Sequence, residues 1–125
     1  MNFTGLKIHL PLKWTLLKVE SNQVTFCYKN WRPLVTDPES FCKIAEAIIE
    51  HAMPVFAIEE ERYTISNQLI TPELRLLVKR FEKSSYCYID QRGGTRVEFH
   101  EDDFYQITTA ARLVRQYGAH HRVPA

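Results

Sequence analysis

The residues able to act on a substrate or a metal are few, and their spacing does not gather them. His100, Glu101, Asp102 and Asp103 put an imidazole and three carboxylates in consecutive positions, a donor set that suits a divalent cation. Consecutive residues at a strand-to-helix junction point in different directions, however. No second His or carboxylate pair stands at the i, i+3 or i, i+4 spacing that aligns ligands on a helix. Acids just ahead of an apolar helical stripe are explained by capping and by the helix dipole, so no metal site is assigned.

Nucleophiles fare no better. Cys27, Cys42 and Cys87 are odd in number and far apart, which fits neither a disulfide framework nor a CxxC knuckle. Reduced, mostly buried thiols are the expectation. Cys42 and His51 share one expected helix nine residues apart, which sets them about 180° apart around it and about 13 Å along it. The chain has no Gly-rich phosphate loop, serine elbow or HExxH. Gly93 and Gly94 read as turn residues. The sequence therefore assigns no catalytic residue, no cofactor and no enzymatic activity.

Binding chemistry has a better footing. If Cys87, Ile89, Val97 and Phe99 face the core, strand alternation sends Tyr86, Tyr88, Arg96, Glu98 and His100 to the opposite face. Arg92 sits in the loop between those strands, and Tyr105, Arg112 and Arg115 lie on the helix that follows. Tyrosines beside cations can stack bases and hold phosphates. The same residues make protein hot spots, because each buries a large area while keeping a polar end satisfied. Asp90 and Glu98 dilute the patch, the net charge is only +1, and no RNP or GxxG motif is present. The expected activity is thus non-catalytic interaction or regulation, docking a partner protein or a second copy through the last hairpin and third helix. A homodimer fits a two-fold contact of the tyrosine-rich strands. Nucleic-acid binding through the same face is the alternative.

The elements that must position these residues follow from periodicity. YCYIDQRGGTRVEF (86–99) gives two alternating strands around the Gly93–Gly94 turn, and EDDFYQITTAARLVRQYG (101–118) gives a helix. Asp102 or Asp103 caps that helix, Phe104, Ile107, Ala111 and Val114 face inward, and Gly118 ends it. A fainter copy of the plan runs FCYKNWRPLV into DPESFCKIAEAII (26–49), with FxxIxxA in both helices, a weak internal ββα duplication. In the first copy alternation puts the aromatics inside, and in the second it puts Tyr86 and Tyr88 outside.

In the first copy, Lys13–Glu20 and Gln23–Lys29 read as a hairpin, and Leu34–Thr36 adds a short strand. A helix begins at Asp37, Pro38 and Glu39, buries Phe41, Ile44, Ala45, Ile48 and Ala52, and stops at Pro54. VFAI (55–58) and RYTIS (62–66) look extended on either side of the acidic run Glu59–Glu61, which reads as a solvated turn. Thr71, Pro72 and Glu73 repeat the helix-start signal. Leu74, Leu77, Val78 and Phe81 then give a helical stripe, with Arg75, Lys79, Arg80 and Lys83 elsewhere on the wheel.

The predicted fold class is α+β, a two-layer and mainly antiparallel sheet with about three helices on it, in the order ββ(β)α-(ββ)-α-ββα. At 125 residues the chain fits one domain, 1–117, with 118–125 as a tail. The longest apolar stretch, AIIEHAMPVFAI, is interrupted by Glu50, His51 and Pro54 and falls short of the about 20 residues of a membrane span. MNFTGLKIHLPLKW lacks a basic flank followed by an uninterrupted apolar run, so the expected location is cytoplasmic, without membrane contact.

Overall fold

Period-two patterning builds most of this molecule. The computed structural model describes residues 7–20, 22–27, 32–57, 64–81 and 84–121. Strands β1 (Lys7–Pro11), β2 (Leu16–Glu20), β3 (Val24–Cys27) and β4 (Leu34–Thr36) form one four-stranded antiparallel sheet in sequence order. Strands β5 (Thr64–Thr71), β6 (Leu74–Phe81), β7 (Ser84–Gln91) and β8 (Thr95–Phe99) form a second. After the first sheet come α1 (Pro38–Ala47), a π-helical turn (Ile48–Ala52) and α2 (Met53–Phe56), and after the second comes α3 (Asp103–His121). The fold is α+β, with two antiparallel sheets and helices packed on them. The faint likeness between the two halves extends to a shared plan of four strands and a helix.

Each sheet buries one face. Leu17, Val19, Val24, Phe26 and Leu34 point inward from the first, and Leu74, Leu76, Val78, Cys87, Ile89, Val97 and Phe99 from the second. The helices close over these faces with Phe41, Ile44, Ile48, Phe104, Ile107 and Ala111, and all of them join one core cluster. The halves interlock there. The helical segment of the first half lies against β5 and β6 of the second sheet and packs along α3. The Phe26 ring meets Phe41 at 6.0 Å and Phe99 at 5.3 Å between centroids, tilted pairs of the kind aromatic quadrupoles favour. β4 runs beside β8, and Gln91 Nε2 donates to the Val35 carbonyl at 2.9 Å.

Asp103 makes the second tie between halves. It is 3% exposed, and its carboxylate accepts from the backbone N–H of His100 and of Lys13, each at 2.9 Å. Sequence patterning presents it as a forward-looking cap. Instead it turns back, satisfying two amides at the junction of the β1–β2 loop with the β8–α3 loop, where a charge-assisted bond is worth more than a neutral one.

Several local expectations are corrected. The second helix at 71–83 is absent: residues 74–81 form β6, with Leu74, Leu76 and Val78 buried and Arg75 exposed. The misleading signal has a physical cause. Thr71 Oγ1 accepts from the amides of Glu73 and Leu74, both at 3.2 Å, the same i+2 and i+3 bonds that an N-cap makes. Here they close the two-residue Pro72–Glu73 hairpin loop. VFAI is not extended either, since Val55 and Phe56 belong to α2. Pro54 does not stop the helix. The π-helical turn lets the Met53 amide reach the Ile48 carbonyl five residues back, so the chain passes the proline with a wider turn. Strand β1 was not foreseen. α3 runs past Gly118 to His121, and residues 122–125 and the run Glu59–Glu61 lie outside the described residues.

The strand assignment of β6 separates adjacent leucines. Leu76→Ala is expected to cost about 2–5 kcal/mol in urea unfolding, as for a fully buried leucine, whereas Leu77→Ala costs under about 1 kcal/mol. A helical segment would make Leu77 the costly one.

Candidate binding face on the second sheet

Because the helices cover only the inner face, the other face of the second sheet is left open, and its register fixes what it displays. Across β5, β6 and β7 run the rows Ile65–Lys79–Tyr86, Asn67–Leu77–Tyr88 and Leu69–Arg75–Asp90. β8 continues two of them, with Glu98 beside Tyr88 and Arg96 beside Asp90. Tyr86 is 36% exposed and Tyr88 half-buried, so both tyrosines stand opposite the core, as alternation predicts. Ile65 and Leu69 are each 62% exposed.

The centre of the face is held in order. The Tyr86 and Tyr88 rings lie nearly parallel, 4° apart, with centroids separated by 6.2 Å. The Arg96 guanidinium sits over Tyr88 at 4.9 Å and donates to both Asp90 oxygens, at 2.5 and 3.1 Å. Such bidentate pairing fixes the plane of the fork, and stacking adds a cation–π contact. Asp90 raises the Arg96 pKa, chiefly through this hydrogen bond. Partial burial pushes the Tyr88 phenol up; Glu98 adds to the rise and Arg96 opposes it. In the next row Arg75 Nη1 donates to Asn67 Oδ1 at 2.9 Å.

The remaining sequence-selected residues do not all join this face. Arg92 is exposed in the three-residue loop between β7 and β8, where Gly93 and Gly94 take φ of +104° and +98°. Its amide donates to the Glu73 carbonyl at 2.8 Å, tying the two hairpin tips together. His100 closes the end of β8, with the Trp14 ring edge-on at 5.7 Å and its Nδ1 3.2 Å from the Asp102 amide and from the Asp102 carboxylate. Tyr105, Arg112 and Arg115 are exposed on α3, and Arg115 pairs with Glu46 of α1. Through this pair the exposed flank of α3 is tied to α1 rather than to the sheet face. The eight residues therefore divide into a sheet group, Tyr86, Tyr88, Arg92, Arg96 and His100, and a helix group, Tyr105, Arg112 and Arg115. Sequence reasoning missed Ile65, Leu69, Arg75 and Leu77. The alternation in TISNQLIT and LRLLV was the available signal.

Chemistry elsewhere is sparse. Burial pushes the Cys87 thiol up to about 12, and burial also raises Cys42, whose thiol donates to the Ala111 carbonyl at 3.8 Å. Neither is poised as a nucleophile. Among the described residues no three His, Cys, Asp or Glu side chains gather as a metal site. No helix of the described residues is long and apolar enough to cross a membrane. A cleft of about 370 Å³ at the seam between the sheets is lined by Asn22, Gln23, Asp37, Ser40, Glu73 and Gln91 among others. A hydrogen bond from Ser40 holds Asp37 below its usual range there, as a helix cap does. No protein family matches this chain, and no curated protein matches it.

The opposing influences on Tyr88 can be read by titration. Glu98→Gln is expected to bring its ionisation down toward the ordinary tyrosine value, and Arg96→Ala to drive it further up. Ring-proton shifts followed against pH check both signs. A rise on Glu98→Gln would contradict this geometry.

Proposed function

We propose that this is a non-catalytic interaction or regulatory protein that captures a partner protein on the open face of its second sheet. The observation that carries the reading is the ladder Tyr86–Tyr88–Arg96, held in place by Asp90 on the face opposite the core. Rings and guanidinium that are ordered before binding lose little conformational freedom when a partner covers them. Leu77, Ile65 and Leu69 supply apolar area around that centre, the mix of anchor and apolar surround typical of hot spots. The three free thiols suit a reducing compartment, in keeping with a cytoplasmic setting.

Nucleic acid is the second reading, and the same ladder argues against it. Arg96 is committed to Asp90, and the ring of Tyr88 already carries Tyr86 and Arg96, so a base or phosphate would have to displace partners already in place. The exposed flank of α3 is a separate surface, outside this proposal.

The test is affinity capture followed by titration with the purified partner. The pair Tyr86→Ala and Tyr88→Ala is expected to weaken binding by about 2 kcal/mol or more, roughly 30-fold, with the melting temperature nearly unchanged. Binding that instead collapses as salt rises, or that is lost only on Arg112→Glu, would contradict the proposal.

A further inference from the structure

We infer that β5 is a self-complementary sheet edge, through which two copies of this chain pair antiparallel about a two-fold axis at Asn67. This inference rests on the edge and does not depend on partner capture by the outer face.

The two sheets end in unlike edges. β1 carries Lys7 and His9 over five residues and ends at Pro11, and charge, brevity and proline are the usual protections of an exposed edge. β5 has eight residues, TISNQLIT, with no charge and no proline. Its one irregularity, the register shift between Leu69 and Thr71, lies at the turn end. Among the described residues β5 pairs with β6 alone. Its core side lies against α1 and the π-helical turn, while its outer side displays Ile65 and Leu69.

The occupant follows from symmetry. When two antiparallel edges join into one continuous sheet, residues directly opposite each other share a face. An axis through Asn67 therefore sets Ile65 against Leu69 of the second copy, and Leu69 against its Ile65. The two apolar side chains most exposed on this sheet bury each other, and the amides of Asn67 meet on the axis. Ser66 falls opposite Gln68 on the other face. Moving the axis one residue either way places Ile65 or Leu69 against Asn67, which wastes both matches. An uncharged strand also meets its own copy without like-charge repulsion in any register. The dimer would join the two open faces into a single eight-stranded surface.

Mass in solution tests this. The wild-type chain is expected to be a dimer at micromolar concentration. Asn67→Lys sets two like charges on the axis and should raise the dimer dissociation constant at least about tenfold, with an unchanged circular dichroism spectrum at 25 °C showing that the chain is still folded. An equal mixture of the Asn67→Lys and Asn67→Asp variants should restore dimer, because the lysine of one copy meets the aspartate of the other. Leu69→Lys is the second variant should Asn67→Lys melt early, and it should also give monomer. A wild-type monomer, a folded Asn67→Lys variant that still dimerises, or a mixture that stays monomeric would each overturn the axis. So would loss of the dimer on Tyr88→Ala, which would move the contact onto the outer face.

Discussion

The meeting of Phe26, Phe41 and Phe99 is the contact on which the rest of the structure depends. Phe26 belongs to the first sheet, Phe41 to the first helix and Phe99 to the last strand. Their packing binds the halves into one core. A four-stranded sheet with a single helix is a thin unit, and here the helical segment of the first half meets Phe26 of its own sheet and also lies against the sheet of the second. Buried area is then shared across the junction. Asp103 reinforces it with hydrogen bonds to backbone amides from both halves, and its burial makes loss of either bond costly.

This arrangement also explains why the second sheet has an open face at all. With the helices on the inner side, the outer faces of the sheets receive no helical cover among the described residues, and their composition then decides what they display. The first sheet shows His9, Lys18, Glu20 and Thr25 outward, with Leu16 and Val35 among them, a mainly polar pattern. The second shows aromatic and aliphatic side chains beside Arg75 and Lys79, with Arg96 paired to Asp90. Two surfaces of the same architecture thus differ in character through side chains alone. β5 adds an edge that lacks the protection seen on β1.

Much of this was legible in the sequence wherever a single period dominated. Phe41, Ile44, Ala45, Ile48 and Ala52 gave α1 and its continuation, and YCYID with TRVEF gave β7 and β8 with their faces in the right sense. Legibility failed where two structures share one local signal. Thr71–Pro72–Glu73 makes the same hydrogen bonds at a hairpin loop as at a helix start, and Leu74, Leu77 and Val78 fit a helix as readily as Leu74, Leu76 and Val78 fit a strand. Losing β6 concealed the middle of the open face, so Leu77 and Arg75 went unread. The likeness of the two halves was also out of phase. Cys27 and Cys87 match in sequence, yet Cys87 is buried and Cys27, on the other side of its strand from Phe26, is half-exposed. Phe26, rather than Cys27, shares with Cys87 a place on the core face. Direction along a strand depends on register with neighbours, which a pairwise likeness does not carry. The backward reach of Asp103 depended likewise on a loop 90 positions away.

The central claim is that the second sheet has one face in the core and one open, ordered and aromatic face. Paramagnetic relaxation from a soluble, inert gadolinium chelate tests it most directly, since it reads proton depth without a partner. Strong relaxation is expected of the Tyr86 ring and the Ile65 and Leu69 methyls, and intermediate relaxation of Leu77 and the exposed edge of Tyr88, with Leu76, Val78 and Ile89 protected. Tyr86 and Leu77 protected as deeply as Leu76 would contradict it.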